Sequence, residues 1–415
     1  MFTSASDIIL AVAYFLILYF SIFWLLALLE REEVKRVRLK RFPLVSILIP
    51  AYNEEKTIRA CLESVLRLDY PALEAVVIND GSTDRTQHVV QSIKATASLP
   101  IILINQENKG KGAALNAGLQ RISGEFYATL DADSVVEPTL LKKLLPYFSN
   151  QHVTSVLPLL KIKNPKNLLQ RIQRYEYIIN MFHKLLNAML DSVHVTPGPF
   201  SLYRTAIVKQ LGGYDEHNIT EDLEIALRLQ KHHFKIIQTG ETGVYTIPPD
   251  NLRDLYHQRN RWYKGAVINS FAYRSLMFRK DYGDFGIVRL PTVILAGILS
   301  IVVLSTLAYD IGDAVVHAFV RLSAINFDIV TLLINWSLNF HVLDLRYLEL
   351  SVAFSVLALS FLVMVVSFRF CREKVSRYGR TFASFISYTL LYSFLLSFVW
   401  LMIGIDIFRG KIQKW

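Results

Sequence analysis

Charge is distributed along this chain in three blocks, and that distribution limits what the chain can fold into. Residues 7–29 are almost uncharged, residues 30–285 have the mixture of a soluble domain, and residues 286–408 return to long apolar runs. Apolar residues reach 52% and charged residues only 19%, more apolar than an ordinary soluble protein. A chain of 415 residues with this pattern has room for one large soluble domain and several membrane helices. Residues 7–29 are long enough to cross a bilayer. The basic residues Arg36, Arg38, Lys40 and Arg41 follow this run rather than precede it. That order fits an uncleaved anchor better than a signal peptide and puts residue 30 onward in the cytosol.

Three further spans are expected at about 287–309, 350–368 and 383–407. The stretch 326–340 is short and interrupted by Asn335, which fits an interfacial or re-entrant segment. The basic loop 369–380 belongs in the cytosol, which three C-terminal spans satisfy, although the basic tail with Arg409, Lys411 and Lys414 argues for one more. The net charge of +10 is concentrated beside these spans, so lipid headgroups explain it better than nucleic acid does. The two cysteines, Cys61 and Cys371, offer neither a disulfide framework nor metal-ligand spacing.

Between the apolar blocks, short β-rich runs at 44–50, 75–78, 101–104 and 126–130 alternate with helical spacing at 54–68, 86–94 and 112–120. This alternation predicts a mostly parallel sheet with helices on both faces. Ligands of such sheets bind outside the carboxyl ends of the strands, where Asn53, Glu54, Asp80, Asp131 and Asp133 converge. Residues 168–190 have an amphipathic helical pattern that suits either a membrane surface, which the neighbouring spans slightly favour, or packing on the sheet.

Asp131-Ala132-Asp133 closes the fourth strand, and two carboxylates one residue apart can share a divalent cation with substrate phosphates; a solvated turn is the plainer explanation of the tripeptide alone. Asp80, after the second strand, could accept hydrogen bonds from a base or ribose, with Ser82 or Asp84 capping the next helix. In Asn108-Lys109-Gly110-Lys111-Gly112, glycines and a helix start suit an anion, and Lys111 adds charge; a solvated basic turn is an equal reading. Thr220 looks like an N-cap, with Glu221 and Asp222 in the first helical turn, while the functional reading makes Asp222 a general base. Gln258-Arg259-Asn260-Arg261-Trp262 lies in a helix just before the spans. There Trp262 could stack on a sugar and Arg261 could neutralise a diphosphate, or both could be interfacial anchors.

Taken together, these residues resemble the membrane-bound processive branch of glycosyltransferase family 2, which includes cellulose, chitin, hyaluronan and poly-N-acetylglucosamine synthases. The resemblance covers about residues 42–270. Residues 45–54, including Ala51, Tyr52 and Glu54, look like the family's opening strand and donor-binding turn. Asp80 matches its nucleoside-binding Asp, Lys111 a basic residue near the diphosphate, and Asp131 with Asp133 its DxD metal motif. Asp222 in Thr220-Glu221-Asp222 matches the catalytic base, and Gln258, Arg261 and Trp262 match QxxRW. The 196–204 string, with Gly198 and Pro199, looks like the acceptor-side loop, and Glu221 falls on the same side. Thr-Glu-Asp and Arg-Trp-Tyr-Lys-Gly look closest to bacterial poly-N-acetylglucosamine synthases. The single N-terminal span, where those usually have two, departs from them, and the regulatory C-terminal domain of cellulose synthase is missing.

The resemblance implies a GT-A-type α/β fold with Mg²⁺ or Mn²⁺ as cofactor. It implies inverting transfer from a nucleotide sugar, UDP-linked as in UDP-N-acetylglucosamine or UDP-glucose, to a growing polysaccharide at the cytosolic face of the cell membrane, with export through the C-terminal spans. The rival is single transfer to a lipid-linked acceptor, and membrane lipids are expected partners in both. The implied organisation is an anchor and basic segment at 1–41, a catalytic domain at 42–250, a QxxRW interfacial region at 251–285 and a transmembrane region at 286–415.

Overall fold

A computed structural model describes residues 5–28, 37, 41–334, 347–373 and 384–410. The strands are β1 (Val45–Ala51), β2 (Leu73–Asp80), β3 (Ile101–Gln106), β4 (Phe126–Thr129), β5 (Val135–Val136), β6 (Val153–Ile162), β7 (Ser201–Arg204) and β8 (Lys235–Thr246). The helices before the C-terminal region are α1 (Ala5–Ala27), α2 (Ile58–Leu66), α3 (Thr86–Lys94), α4 (Lys111–Arg121), α5 (Leu140–Leu144), α6 (Leu168–Met189), α7 (Thr205–Gln210), α8 (Glu221–Lys231) and α9 (Leu252–Ala272). Then come α10 (Leu290–Ala324), α11 (Ile329–Ile334), α12 (Tyr347–Phe370) and α13 (Ser393–Phe408).

All strands join one eight-stranded sheet in the order β3-β2-β1-β4-β7-β6-β8-β5. The four strands read from the sequence pair in parallel, β1 with β2 and β4, and β2 with β3. Their residues are apolar on both faces because helices cover both faces: Ile47, Ile49 and Val77 face one buried cluster, and Leu48, Val76 and Ile78 the other. The other half corrects the expectation of a mostly parallel sheet. β7 runs antiparallel to β4 and β6, and β5 antiparallel to β8, while β6 and β8 are parallel. This half left a weak pattern because β7 and β5 are very short. In addition, Pro158 in β6 sits at a register shift between Leu157 and Leu159.

α6 is an interior helix, which corrects its preferred assignment to the membrane surface. Tyr175, Ile178, Met181, Phe182, Leu185 and Leu186 are buried with Leu159 of β6 on one side and with Met364, Phe368 and Cys371 on the other. The same apolar stripe that suggested a lipid-facing helix therefore lies between the sheet and the C-terminal helices. Both cysteines are buried free thiols.

By length and composition, two helical stretches among the described residues can cross a membrane, Phe285–Ala324 and Leu350–Phe370; Ala11–Ala27 and Ser393–Phe408 are shorter apolar helices. The stretch expected at 287–309 continues helically to Ala324, since Asp310, Asp313, His317 and Arg321 end its apolar character without breaking its backbone. The segment expected at 383–407 enters α13 through a π-helical turn, Tyr388–Tyr392. Of the interfacial segment expected at 326–340, α11 covers Ile329–Ile334; Asn335 and the residues after it, like most of the basic loop 374–380 and the tail residues Lys411 and Lys414, lie outside the described residues.

Candidate active site

The centre of the site is a lysine between two acidic motifs. β4 ends at Thr129, two residues before Asp131, and α4 begins at Lys111. Lys111 Nζ lies 2.6 Å from Asp131 Oδ1 and 3.1 Å from Glu221 Oε1. One cation thus ties the strand-end acids to the first turn of α8. Burial alone would push the Lys111 pKa down, but Asp131, Glu221 and Asp222 outweigh it and hold the ammonium protonated well above its usual range.

The loop before β7 fixes the other acid of α8. Thr196 donates its backbone N–H (3.1 Å) and its hydroxyl (2.7 Å) to the Asp222 carbonyl oxygen. The Gly198 N–H donates to Asp222 Oδ2 at 3.2 Å. Gly198 also passes so close to the ion pair that a Cβ on it would lie 2.5 Å from Lys111 Nζ and 3.1 Å from Asp131 Oδ2. Lys111, Asp131, Gly198, Glu221 and Asp222, spread over 111 residues of sequence, therefore meet in one place, with Pro199 next to them.

Negative charge is in surplus here. Burial, and after it the nearby Asp131, push the Asp133 carboxyl up to about 6, against a hydrogen bond from Ser134. Burial and Glu221 push Asp222 up to about 6 as well, opposed by Lys111 and Arg261. Burial followed by Asp131 and Asp84 raises Glu54, against its hydrogen bond from Thr57. Asp133 Oδ1 accepts from Ser134 Oγ at 2.8 Å and Thr246 Oγ1 at 3.4 Å. Half-buried acids whose ionisation is resisted in this way are a donor set suited to a hard divalent cation. Among the described residues no cluster of three or more His, Cys, Asp or Glu forms a metal site. Asp131 and Asp133 supply two carboxylates, so a cation held there would take the rest of its shell from phosphate and water oxygens.

Other expected residues have different tasks. Asp80 is buried, and its Oδ1 accepts from Gln106 Nε2 (2.7 Å) and the Lys109 N–H (3.0 Å), its Oδ2 from the Gly110 N–H (2.9 Å). The glycine-rich turn thus spends two of its backbone donors on Asp80 rather than offering them to an anion. Ala51 is buried at the end of β1, Tyr52 is 49% exposed beside it, and the Glu54 N–H is tied to Thr86 Oγ1 at 2.7 Å. Asp84 Oδ1 receives the Thr86 N–H at 2.9 Å, which places it, as expected, at the start of α3. Thr220 precedes α8 but makes no side-chain cap; its Oγ1 instead accepts from Asn269 Nδ2 at 3.0 Å.

The QxxRW stretch lies in α9, and its neighbours do as much as the motif. Arg261 is close enough to Asp222 to oppose, after Lys111, the rise in its pKa. Trp262 has one face covered by the Arg259 guanidinium, whose Cζ lies 4.2 Å from the ring centroid. Arg259 is completely buried and paired with Glu176 of α6, and Gln258 Oε1 accepts from it at 2.5 Å.

The sequence of residues 46–212 matches the family model described as glycosyl transferase family 2. Residues 46–212 are a family 2 glycosyltransferase domain. Over 262 residues it is 29% identical to a poly-beta-1,6-N-acetyl-D-glucosamine synthase of Staphylococcus epidermidis, covering 60% of this chain and 63% of that protein. A synthase of the same name from Staphylococcus aureus strain COL is 31% identical over 225 residues, 54% of each chain. The match thus spans less than two thirds of these relatives. In fold, the chain resembles a mannosyltransferase from Pyrobaculum calidifontis solved with GDP-mannose and Mn²⁺, with a TM-score of 0.65 over 98% of this chain and 99% of that one, at 18% identity. The glycosyltransferase domain is accordingly GT-A-like, with a mixed sheet.

Three contacts around this domain escaped the sequence reading. Glu176 receives Arg259 and also the Tyr392 hydroxyl at 2.7 Å; it is the only acid in α6, which was the available signal. Lys264 Nζ reaches Asp406 Oδ2 of α13 at 2.8 Å. A Cβ on Gly265 would lie 2.3 Å from Thr220 Oγ1. The last two residues extend the Arg-Trp-Tyr-Lys-Gly string, whose spacing carries no sign of these partners.

Proposed function

We propose that this protein is an inverting glycosyltransferase, acting at the cytosolic face of a membrane and transferring a sugar from a UDP-sugar to a growing polysaccharide. The observation that carries this reading is Lys111 joining Asp131 to Glu221 while Gly198 holds Asp222 beside them. Donor-side and acceptor-side acids then share one centre. The similarity to poly-beta-1,6-N-acetyl-D-glucosamine synthases makes UDP-N-acetylglucosamine the first donor to try. Residues 42–250 would carry the chemistry, 251–285 would form the acceptor-side interface, and the apolar helices would hold the enzyme in the membrane and pass the polymer across.

Asp222, raised in pKa yet fixed by Gly198, takes the proton of an acceptor hydroxyl as that oxygen attacks the anomeric carbon. The bond from that carbon to the nucleotide diphosphate breaks, and the nucleoside diphosphate leaves with the electron pair. Lys111 and Arg261 stand where the departing charge needs cations. Asp131 and Asp133 would hold Mg²⁺ or Mn²⁺, which when bound neutralises the diphosphate. Asp80 orients the 106–110 turn and so the start of α4 that carries Lys111. Tyr52 and Glu54 border the donor side, and Gly198, Pro199 and Trp262 border the acceptor.

Purified full-length protein offered a panel of nucleotide sugars tests this directly. Nucleotide release with one UDP-sugar, an inverted anomeric configuration and a lengthening product are expected. No release with any donor, with and without Mg²⁺ or Mn²⁺, refutes the reading.

A further inference from the structure

The first turn of α8, which carries Asp222, is held from α9 by an asparagine that takes no part in the transfer itself. Asn269 lies in the last turn of α9 and is 1% exposed. Its carboxamide faces that of Asn218 in a reciprocal pair. Asn269 Nδ2 donates to Asn218 Oδ1 at 3.0 Å, and Asn218 Nδ2 donates to Asn269 Oδ1 at 2.8 Å. The neighbours fix which end of each amide is which. Asn218 Oδ1 also accepts the Thr220 N–H at 3.1 Å, which an amide nitrogen cannot do, so the nitrogen of Asn218 must meet the oxygen of Asn269. The nitrogen of Asn269 then faces Thr220 as well, and donates to its Oγ1 at 3.0 Å.

Thr220 passes this restraint to the catalytic helix. A threonine just before a helix ordinarily turns its hydroxyl onto the N–H groups of the first turn. Here it makes no such cap, and the hydroxyl is committed to Asn269 and, at 3.4 Å, to Asn218 Oδ1. The Thr220 carbonyl oxygen receives the N–H groups of Leu223 at 3.2 Å and Glu224 at 3.0 Å. Fixing Thr220 therefore fixes the turn that contains Asp222. On its other side Asp222 is held by Thr196 and Gly198, so the base is gripped from two directions. Gly265 stands four residues before Asn269, on the same face of α9, and its missing side chain is what lets Thr220 come so close. The helix that carries Gln258, Arg261 and Trp262 thus also sets the start of α8.

We propose that Asn269 is a positioning residue for Asp222, acting through its hydrogen bond to Thr220 and not through packing alone. The proposal rests on the reading of Asp222 as the base. Without the bond, the first turn of α8 is free to shift against the acceptor, while the donor side around Asp80, Asp131 and Asp133 keeps its own contacts. Turnover and donor binding should therefore separate, since a base needs close alignment with the proton it takes.

Steady-state kinetics on full-length protein, with the moles of UDP bound per mole of protein measured on each sample, test this. Asn269→Leu keeps the size of the side chain and removes its hydrogen bonds. Thr220→Val keeps the branched shape against Gly265 and removes the acceptor. Each should lower kcat by at least about tenfold while the KM for the donor and the UDP stoichiometry stay within about twofold of the unaltered protein. Thr220→Ser, which keeps the hydroxyl and loses the methyl group, should retain more turnover than Thr220→Val. If packing alone mattered, that order would reverse, and a reversed order overturns the proposal. So does an unchanged kcat in Asn269→Leu and Thr220→Val, or a kcat that falls only in step with the fraction binding UDP, which is loss of folded protein. No transfer by the unaltered protein with any donor refutes the transferase reading and this proposal with it; transfer that survives both substitutions refutes this proposal alone.

Discussion

Arg259 and Glu176 meet in the interior of the protein, where Arg259 Nε donates to Glu176 Oε1 at 3.1 Å and both side chains are buried. The pair ties α9, which carries the QxxRW residues, to α6, and through Tyr392 to the start of the last apolar helix. A buried pair of this kind is dangerous to halve: the surviving charge keeps its desolvation cost and loses its partner.

Glu176→Ala should therefore lower the Tm in detergent, at a cost of about 3–5 kcal/mol. Replacing both partners, Glu176→Leu with Arg259→Met, should cost less than the single change. A double variant at least as unstable as the single one would contradict the charge argument.

The pH dependence follows from Asp222. Burial and Glu221 set its pKa at about 6, and a base works only when ionised. At saturating divalent cation, kcat/KM should rise with pH through about 6 and level off above it. Asp222→Asn should lose nearly all transfer while still binding UDP. A flat profile between about pH 5 and pH 7.5 would remove Asp222 from the role of base.

Gly198→Ala should leave the fold intact and damage the reaction. Its new methyl group would stand 2.5 Å from Lys111 Nζ, the far end of a flexible side chain, so Lys111 swings away from Asp131. A fall in kcat/KM of at least about tenfold, with little change in Tm, is expected, from steady-state kinetics and thermal melts on the same sample.

At Gly265 the obstacle is stiffer. A Cβ there would meet Thr220 at Oγ1, Cγ2 and Cβ, all under 3.0 Å, and β-branched Thr220 has little rotamer freedom. Gly265→Ala should separate α9 from α8 and lower both Tm and turnover. Thr220→Ala, added to it, should restore part of each; no recovery would mean that these two residues are not the point of contact.

Chelation by EDTA should abolish transfer, and Mg²⁺ or Mn²⁺ should restore it. Asp133→Asn should raise the cation concentration needed for half-maximal rate by at least about tenfold. Full activity in EDTA would assign charge neutralisation to Lys111 and Arg261 alone.

The parallel half of the sheet was legible because strands covered on both faces are continuous apolar runs, and Asp131 falls where such a run stops. The antiparallel half was not: β7 has four residues and β5 two, too few to show a period. The α6 pattern was read correctly as an amphipathic helix and given the wrong environment, since an apolar stripe is the same against lipid and against Met364 and Phe368. Site residues close to a strand end or a helix start were legible as candidates. The partners that hold them were not, because Lys111 and Glu221, or Lys264 and Asp406, are brought together only by the folded chain.

The Lys264–Asp406 contact has a consequence for biosynthesis. Asp406 leaves the ribosome 142 residues after its partner Lys264, and Lys264 is the neighbour of Gly265, which touches Thr220 at the foot of α8. A nascent chain can build the sheet and place Asp131 early, but α9 has its full set of restraints only after α13 has been made and has docked. The setting of α9 against α8 is thereby timed to follow the docking of α13.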